Sequence, residues 1–251
     1  MIFLSFIKIV LFFTILGAIS SGIGGLLTSL IKTKSNNIIA SLYEITAGIM
    51  TGIVCFDMLP ESLEIAPVFY SISGVLCGIF IVNVINHLVK LKNYKKKFNK
   101  NFPFKYKSKI SNTALAVMIS MGFHNIIEGL AIGSGFSYSY SLGLSILVSM
   151  FLHDIPEGMV VGISSINDTN KKYKIIFSSA IVGACVGIGC LIGLILGNIS
   201  NIYISFCLSI AAGAMLCIVS CDLLVVSKKL TNNNFTSIMY IIGIIFAMII
   251  N

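Results

Sequence analysis

The sequence predicts an all-α polytopic membrane protein of eight transmembrane helices. The chain of 251 residues is 57% hydrophobic and only 10% charged, with a mean hydropathy of +0.99, whereas a soluble domain runs near half apolar and a quarter charged. Apolar runs recur eight times between polar breaks, and the lysines gather in alternate breaks. At roughly 20 residues per span, this length holds about eight helices and no separate soluble domain of usual size. One transmembrane domain is therefore expected over 1–251, with every functional group in or between helices.

The runs are taken in order. The first, 6–31, has Lys8 before an apolar stretch and so imitates a signal peptide. The stretch Ile9 to Ile31 is long enough to span and no A-x-A-like site ends it, so it reads as a retained helix. The second, 38–59, ends in FDMLPES; the third, 68–91, carries Asn83 and His87 on one face, read as interfacial or packing groups. A Lys-rich loop over 92–111 separates these three from the fourth and fifth runs, 112–135 and 139–165. The sixth (175–198), seventh (201–226) and eighth (235–251) follow, the last short but apolar.

Lysine position predicts orientation. The net charge of +8 comes from 17 Lys and no Arg against nine acids. With eight spans, the loops holding Lys32 and Lys34, the nine Lys from Lys90 to Lys109, Lys171, Lys172 and Lys174, and Lys228 and Lys229 all fall on one side. That side is cytoplasmic by the positive-inside rule, and both termini face out. The charge thus reports topology and not nucleic acid. The long loop, with Phe and Tyr between its lysines, reads as a solvated cytoplasmic linker, with anionic lipid headgroups or a partner as the alternative. Seven Cys, odd in number and without a CxxC pair, signal neither a disulfide framework nor a thiolate zinc site; they read as small packing residues.

Two internal repeats stand out. AGIMTGIVCFDMLP from Ala47 aligns with AGAMLCIVSCDLLV from Ala212 at an offset of 165, with seven identities in 14 positions, including Asp57 with Asp222. The second and seventh spans run in opposite directions, so this is an inverted repeat, an arrangement common in secondary transporters. HNIIEGLAIG from His124 matches HDIPEGMVVG from His153 at an offset of 29, with Asn125 replaced by Asp154. Two of the three His and three of the nine acids lie in these two segments.

On a helix, His124 and Glu128 share one face at i and i+4, and Asn125 lies on an adjoining stripe. His153, Glu157 and Asp154 repeat that geometry on the next, antiparallel helix. Imidazole with carboxylate suits divalent zinc, iron, manganese or cobalt, and the lack of thiolates argues against a structural zinc site. Ionisable groups deep in hydrocarbon are costly and normally mark an ion path. Gly129, Gly133, Gly158 and Gly162 permit close helix approach, and Pro156 is expected to free a carbonyl, kink the fifth helix and open the site to water. Asp57 and Glu61, at i and i+4, are either cation-attracting groups at the entrance or exposed acids ending a helix before Pro67. Asp222 is placed toward the cytoplasmic exit.

The paired motif resembles that of the ZIP (Zrt-, Irt-like) metal transporters, most closely the compact bacterial GufA-like branch. The resemblance extends over the whole chain and implies a 3+2+3 arrangement with both termini outside. It implies a first metal site of His124, Glu128, His153 and Glu157, and an adjoining second site of Asn125 and Asp154 bridged by the two Glu. Members of the branch add a Glu from a Glu-Pro pair in the sixth helix. Val186 and Gly187 stand there in this chain, so the second site is expected to be weaker, water-completed or absent. Ile127 stands where the family commonly has Pro, which implies a milder kink in the fourth helix.

The function expected is transport of a divalent transition metal across the plasma membrane into the cytoplasm: zinc first, with iron, manganese, cobalt or cadmium as alternatives. The metal is cargo; no catalytic cofactor is expected. The expected partners are metal ions and the lipid bilayer, with a homodimer left open and no nucleic acid. Uptake should weaken as pH falls toward the ordinary His pKa, because the ligands bind deprotonated. An intramembrane metalloenzyme is the runner-up, but neither HExxH nor Glu-x-x-His occurs. A non-transporting sensor is disfavoured by the lack of a soluble output domain, and no P-loop supports ATP coupling.

Overall fold

A computed structural model of the chain describes residues 2–31, 35–98, 112–166, 171–231 and 234–250. The described residues form eight helical rods: α1 (Ile2–Ile31), α2 (Asn36–Ile65), α3 (Val68–Phe98), α4 (Asn112–Tyr138), α5 (Tyr140–Ile166), α6 (Lys172–Gly197), α7 (Asn201–Leu230) and α8 (Asn234–Ile250). Six of them are long and apolar enough to cross a membrane. The other two are α8, with a shorter apolar stretch over Phe235–Ile249, and α4, whose centre carries His124, Asn125 and Glu128.

The expected boundaries differ most at α3, which continues to Phe98 instead of ending near 91. An apolar run ends where the membrane does, but Lys and Asn permit a helix to continue into water. Lys32, Lys34 and residues 99–111 of the basic loop lie outside the described residues. The α4–α5 connection is a single residue, Ser139, whose hydroxyl accepts a hydrogen bond from the amide of Leu142 at 3.1 Å. Such a tight turn forces the two motif helices to lie antiparallel and adjacent. α5 runs unbroken through Pro156.

Packing follows the inverted repeat throughout. α2 packs on α8 as α7 packs on α3, α1 packs on α5 as α6 packs on α4, and α2 touches α5 as α7 touches α4. The pairs α1–α6, α2–α7 and α4–α5 bridge the two halves. The 165-residue offset relates more than the second and seventh helices. Gly24 meets the α5 backbone at Ile155 and Met159, and Gly189, 165 positions on, meets the α4 backbone at Ile126 and Leu130. Gly48 against Tyr240 and Gly213 against Val75 form a second such pair. Lipid supplies no hydrophobic drive between helices, so contact of bare backbone holds these seams. Among the described residues, the glycine seams join α1, α4, α5 and α6 into one unit, and pair α2 with α8 and α3 with α7.

α2 and α7 are each interrupted by a five-residue π turn, Val54–Met58 and Val219–Leu223, again 165 positions apart. Such turns are rare and cluster at functional sites. Each rotates the following half of its helix, so that Met58 in one and Leu223 in the other line cavities at the centre of the fold.

The seams are testable. Gly24→Leu or Gly189→Leu should lower the thermal midpoint in detergent, corresponding to overpacking of roughly 1–3 kcal/mol or more. Gly22→Ala, whose added methyl would meet only the Ala180 side chain at 3.5 Å, should leave it unchanged. Equal midpoints in all three variants would refute the seam account.

Candidate metal centre

The tight α4–α5 turn brings the two motif segments face to face at the centre of the fold, with all six predicted side chains 3% exposed or less. Ligand atoms of His124, Glu128, His153 and Glu157 lie within 4.8 Å of one another. Glu128 is the hub. Its Oε1 is 2.5 Å from Nε2 of His153 and 3.0 Å from Nε2 of His124, the latter without hydrogen-bond alignment. Oε2 of Glu157 is 3.7 Å from His124 Nε2.

The tautomer of His153 follows from its other nitrogen. Nδ1 is 2.9 Å from the carbonyl of Ser149, which can only accept, so Nδ1 carries the hydrogen. In the neutral ring Nε2 then has a lone pair aimed at a carboxylate oxygen 2.5 Å away. Two acceptors at that distance need a cation between or beside them, either a proton or a metal ion. A ring held by a backbone carbonyl at Nδ1, with Nε2 free, is the usual presentation of a histidine ligand.

The rest of the site makes the same demand. Glu128 Oε2, both carboxylate oxygens of Glu157, Oδ1 of Asp154 and Oδ1 of Asn125 are buried without a hydrogen-bond partner. Leaving buried acceptors unpaired costs roughly 1–3 kcal/mol each, more when charged. Five in one place constitute a cation-shaped deficit.

Asn125 and Asp154 are tied down on their other sides. Asn125 Nδ2 donates to the carbonyl of Val182 at 3.0 Å, and Oδ2 of Asp154 accepts from Ser20 of α1 at 2.9 Å. α6 breaks at Cys185, where three-residue backbone bonds replace four-residue ones; the Val182 carbonyl there accepts the Cys185 amide at 3.2 Å and takes Asn125 as a second donor. This break falls next to Val186 and Gly187. Val186 is fully buried and faces Gly17 and Gly129, so α6 contributes no carboxylate to the site.

Asp57, Glu61 and Asp222 lie outside the cluster. Asp57 and Asp222 occupy the two π turns; Asp57 is buried rather than a solvated helix end, Asp222 and Glu61 are half-buried. The sequence reading missed Ser20, whose only signal is the Ser20–Ser21 pair in an apolar helix, and Glu44, the single acid in the N-terminal half of α2.

The sequence model described as ZIP zinc transporter matches residues 105–251, more than half of the chain. The chain belongs to the ZIP family. It is also 29% identical over 235 residues to the zinc transporter ZupT of Escherichia fergusonii, covering 89% of this chain and 88% of that protein. The family match includes both motif helices and all of α6 to α8; α1 to α3 enter through the ZupT similarity and the repeat.

In this ZIP chain, Ser20→Ala should leave Asp154 Oδ2 without its donor and destabilise the protein by about 1–3 kcal/mol. Thermal denaturation of the metal-free protein measures this; an unchanged midpoint would remove Ser20 from the site.

Proposed function

We propose that this protein carries divalent transition metal ions, zinc first, across the plasma membrane into the cytoplasm through a site made by His124, Glu128, His153 and Glu157. Iron, manganese, cobalt and cadmium share the same donor chemistry to differing degrees. The reading treats residues 1–251 as one transport domain.

The observation that carries this reading is a pair of cavities, one on each side of the cluster and related by the repeat. One, of about 10 Å³, is lined by Ile53, Met58, Glu128, Met150, His153 and Met215. The other is lined by Ile218, Leu223, Glu157, Met121, His124 and Met50, which are the repeat partners of those six in the same order. An enzyme pocket needs one mouth. A buried ligand set flanked on both sides by repeat-related linings, each closed around it to the size of one water or less, supports alternating access.

Two imidazoles and two carboxylates give a four-donor set of borderline hardness, and the divalent ion satisfies the unpaired oxygens. Asn125 Oδ1 and Asp154 Oδ1 support a second, adjoining position that shares Glu128 and Glu157. Without a carboxylate from α6 it is the weaker of the two. The lysines at the inner ends of α6 and α7 support cytoplasmic loops on that side and extracytoplasmic termini. Phe69, Phe80 and Ile249, all more than two-thirds exposed, support a lipid-facing belt.

In proteoliposomes, His153→Ala and Glu157→Ala should each reduce zinc uptake at least tenfold, a loss of about 1.4 kcal/mol or more in metal binding. Wild-type rates for every metal in both correctly inserted variants would sink the site assignment. In a cysteine-free background, Ser139→Cys should react with an impermeant maleimide in intact cells, and Lys171→Cys only after permeabilisation. The reverse pattern would invert the orientation.

A further inference from the structure

Glu44 is 1% exposed on α2 and takes no part in the metal centre. Its Oε1 is 2.8 Å from the hydroxyl of Ser227 on α7 and 3.6 Å from Nζ of Lys228. The same hydroxyl lies 3.3 Å from the carbonyl of Ala40. Lys228 also donates to Ser237 of α8. One carboxylate, one hydroxyl and one carbonyl thus converge at the inner ends of α2 and α7, with an ammonium as counter-ion.

The repeat supplies an internal control. Ser227 and Ala40 are the repeat partners of Ser62 and Ser205, which meet at the outer ends of the same two helices. There Ser205 donates to the Ser62 carbonyl at 2.7 Å, and Ser71 of α3 joins them at 3.1 and 3.2 Å. The outer junction is closed by neutral groups alone. The partners of Glu44 and Lys228 are Ser209 and Leu63, neither of them charged. Joining α2 to α7 therefore requires no charge, yet the inner junction buries a carboxylate, at a desolvation cost of several kcal/mol unless it is paired.

Position explains the difference. The cavity on the inner side of the cluster is lined by His124, Glu157, Thr46 and Leu223. Ser227 is one turn beyond Leu223 on α7, and Glu44 is two residues before Thr46 on α2. The repeat partner of Thr46 is Ala211 and that of Glu44 is Ser209, so the carboxylate occurs only on the inner side. Lys228 is 48% exposed at its side chain. A long, largely hydrated side chain leaves such a contact cheaply.

We propose that Glu44, with the Ser227 hydroxyl and the Ala40 carbonyl, is a cation-binding station on the inner route from the metal cluster, and that the Lys228 ammonium is its displaceable plug. Three oxygen donors suit a hard divalent cation held weakly, with water completing its shell. An ion leaving His124 and Glu157 exchanges with the ammonium, and the ammonium returns when the ion departs. The role in transport rests on the function proposed above; the site itself is measurable without it.

The test is manganese binding by the purified full-length protein, read by electron paramagnetic resonance. In a His153→Ala, Glu157→Ala parent, Lys228→Gln should add one weakly bound Mn²⁺ per chain, and Glu44→Gln added to it should remove that ion. Lys228→Arg should match the parent. No added ion in Lys228→Gln, or an added ion that survives Glu44→Gln, overturns the station. If the parent is too unstable to purify, Lys228→Gln and Lys228→Arg in the otherwise unaltered chain give the same comparison, with one extra Mn²⁺ expected in the Gln variant only. A misassigned central site shows itself separately, as a parent that binds as much metal as the unaltered protein.

Discussion

Polar groups inside a bilayer have no water to fall back on, so the protein must satisfy them itself or leave a deficit for a ligand to fill. The shared oxygen of Glu128, between the imidazoles of His124 and His153, is where that constraint acts most strongly. The fold is arranged around it. α4 and α5 carry the charged motif at the centre of the fold, and the single-residue connection at Ser139 keeps them adjacent. Glycines at 24, 129, 158 and 189 draw α1 and α6 against them closely enough for Ser20 to reach Asp154 and for Asn125 to reach the Val182 carbonyl of α6. The scaffold satisfies one side of Asn125 and of Asp154 and leaves Oδ1 of each unpaired.

Duplication builds the same lining on both sides of this deficit. A 165-residue offset relates glycine seams, π turns and cavity linings of opposite halves, and a 29-residue offset relates the two motifs. A recess built on one side is therefore built on the other. Direction enters where the copies differ: Asn125 against Asp154, Thr46 against Ala211, Glu44 against Ser209. These departures from symmetry are few, and two of the three put the more polar group on α2 rather than on α7.

Much of this was legible in the chain. Apolar runs located the eight helices, because hydrocarbon thickness imposes a length that a sequence cannot hide. The buried His/Glu cluster was legible because His and Glu recurred at one spacing in otherwise apolar helices. Boundaries outside hydrocarbon were not: α3 outran its apolar stretch to Phe98. The break in α6 was hidden because no Pro marks Cys185. Asp57 was read as a possible solvated helix end because a π turn, which carries it inward, leaves no periodic trace in five residues. Ser20 and Glu44 escaped notice because a serine or an acid near a helix end is ordinary until its neighbours are known.

The sequence by itself determined the class, the helix count and the six polar side chains of the centre, since each rests on local composition or spacing along one helix. The tertiary structure decided which oxygens remain unpaired, which glycines carry bare backbone contact, and that a recess lies on both sides of the cluster. Those properties depend on atoms brought together from positions 25 to 134 residues apart. A one-dimensional pattern records such approaches only where a repeat happens to preserve them.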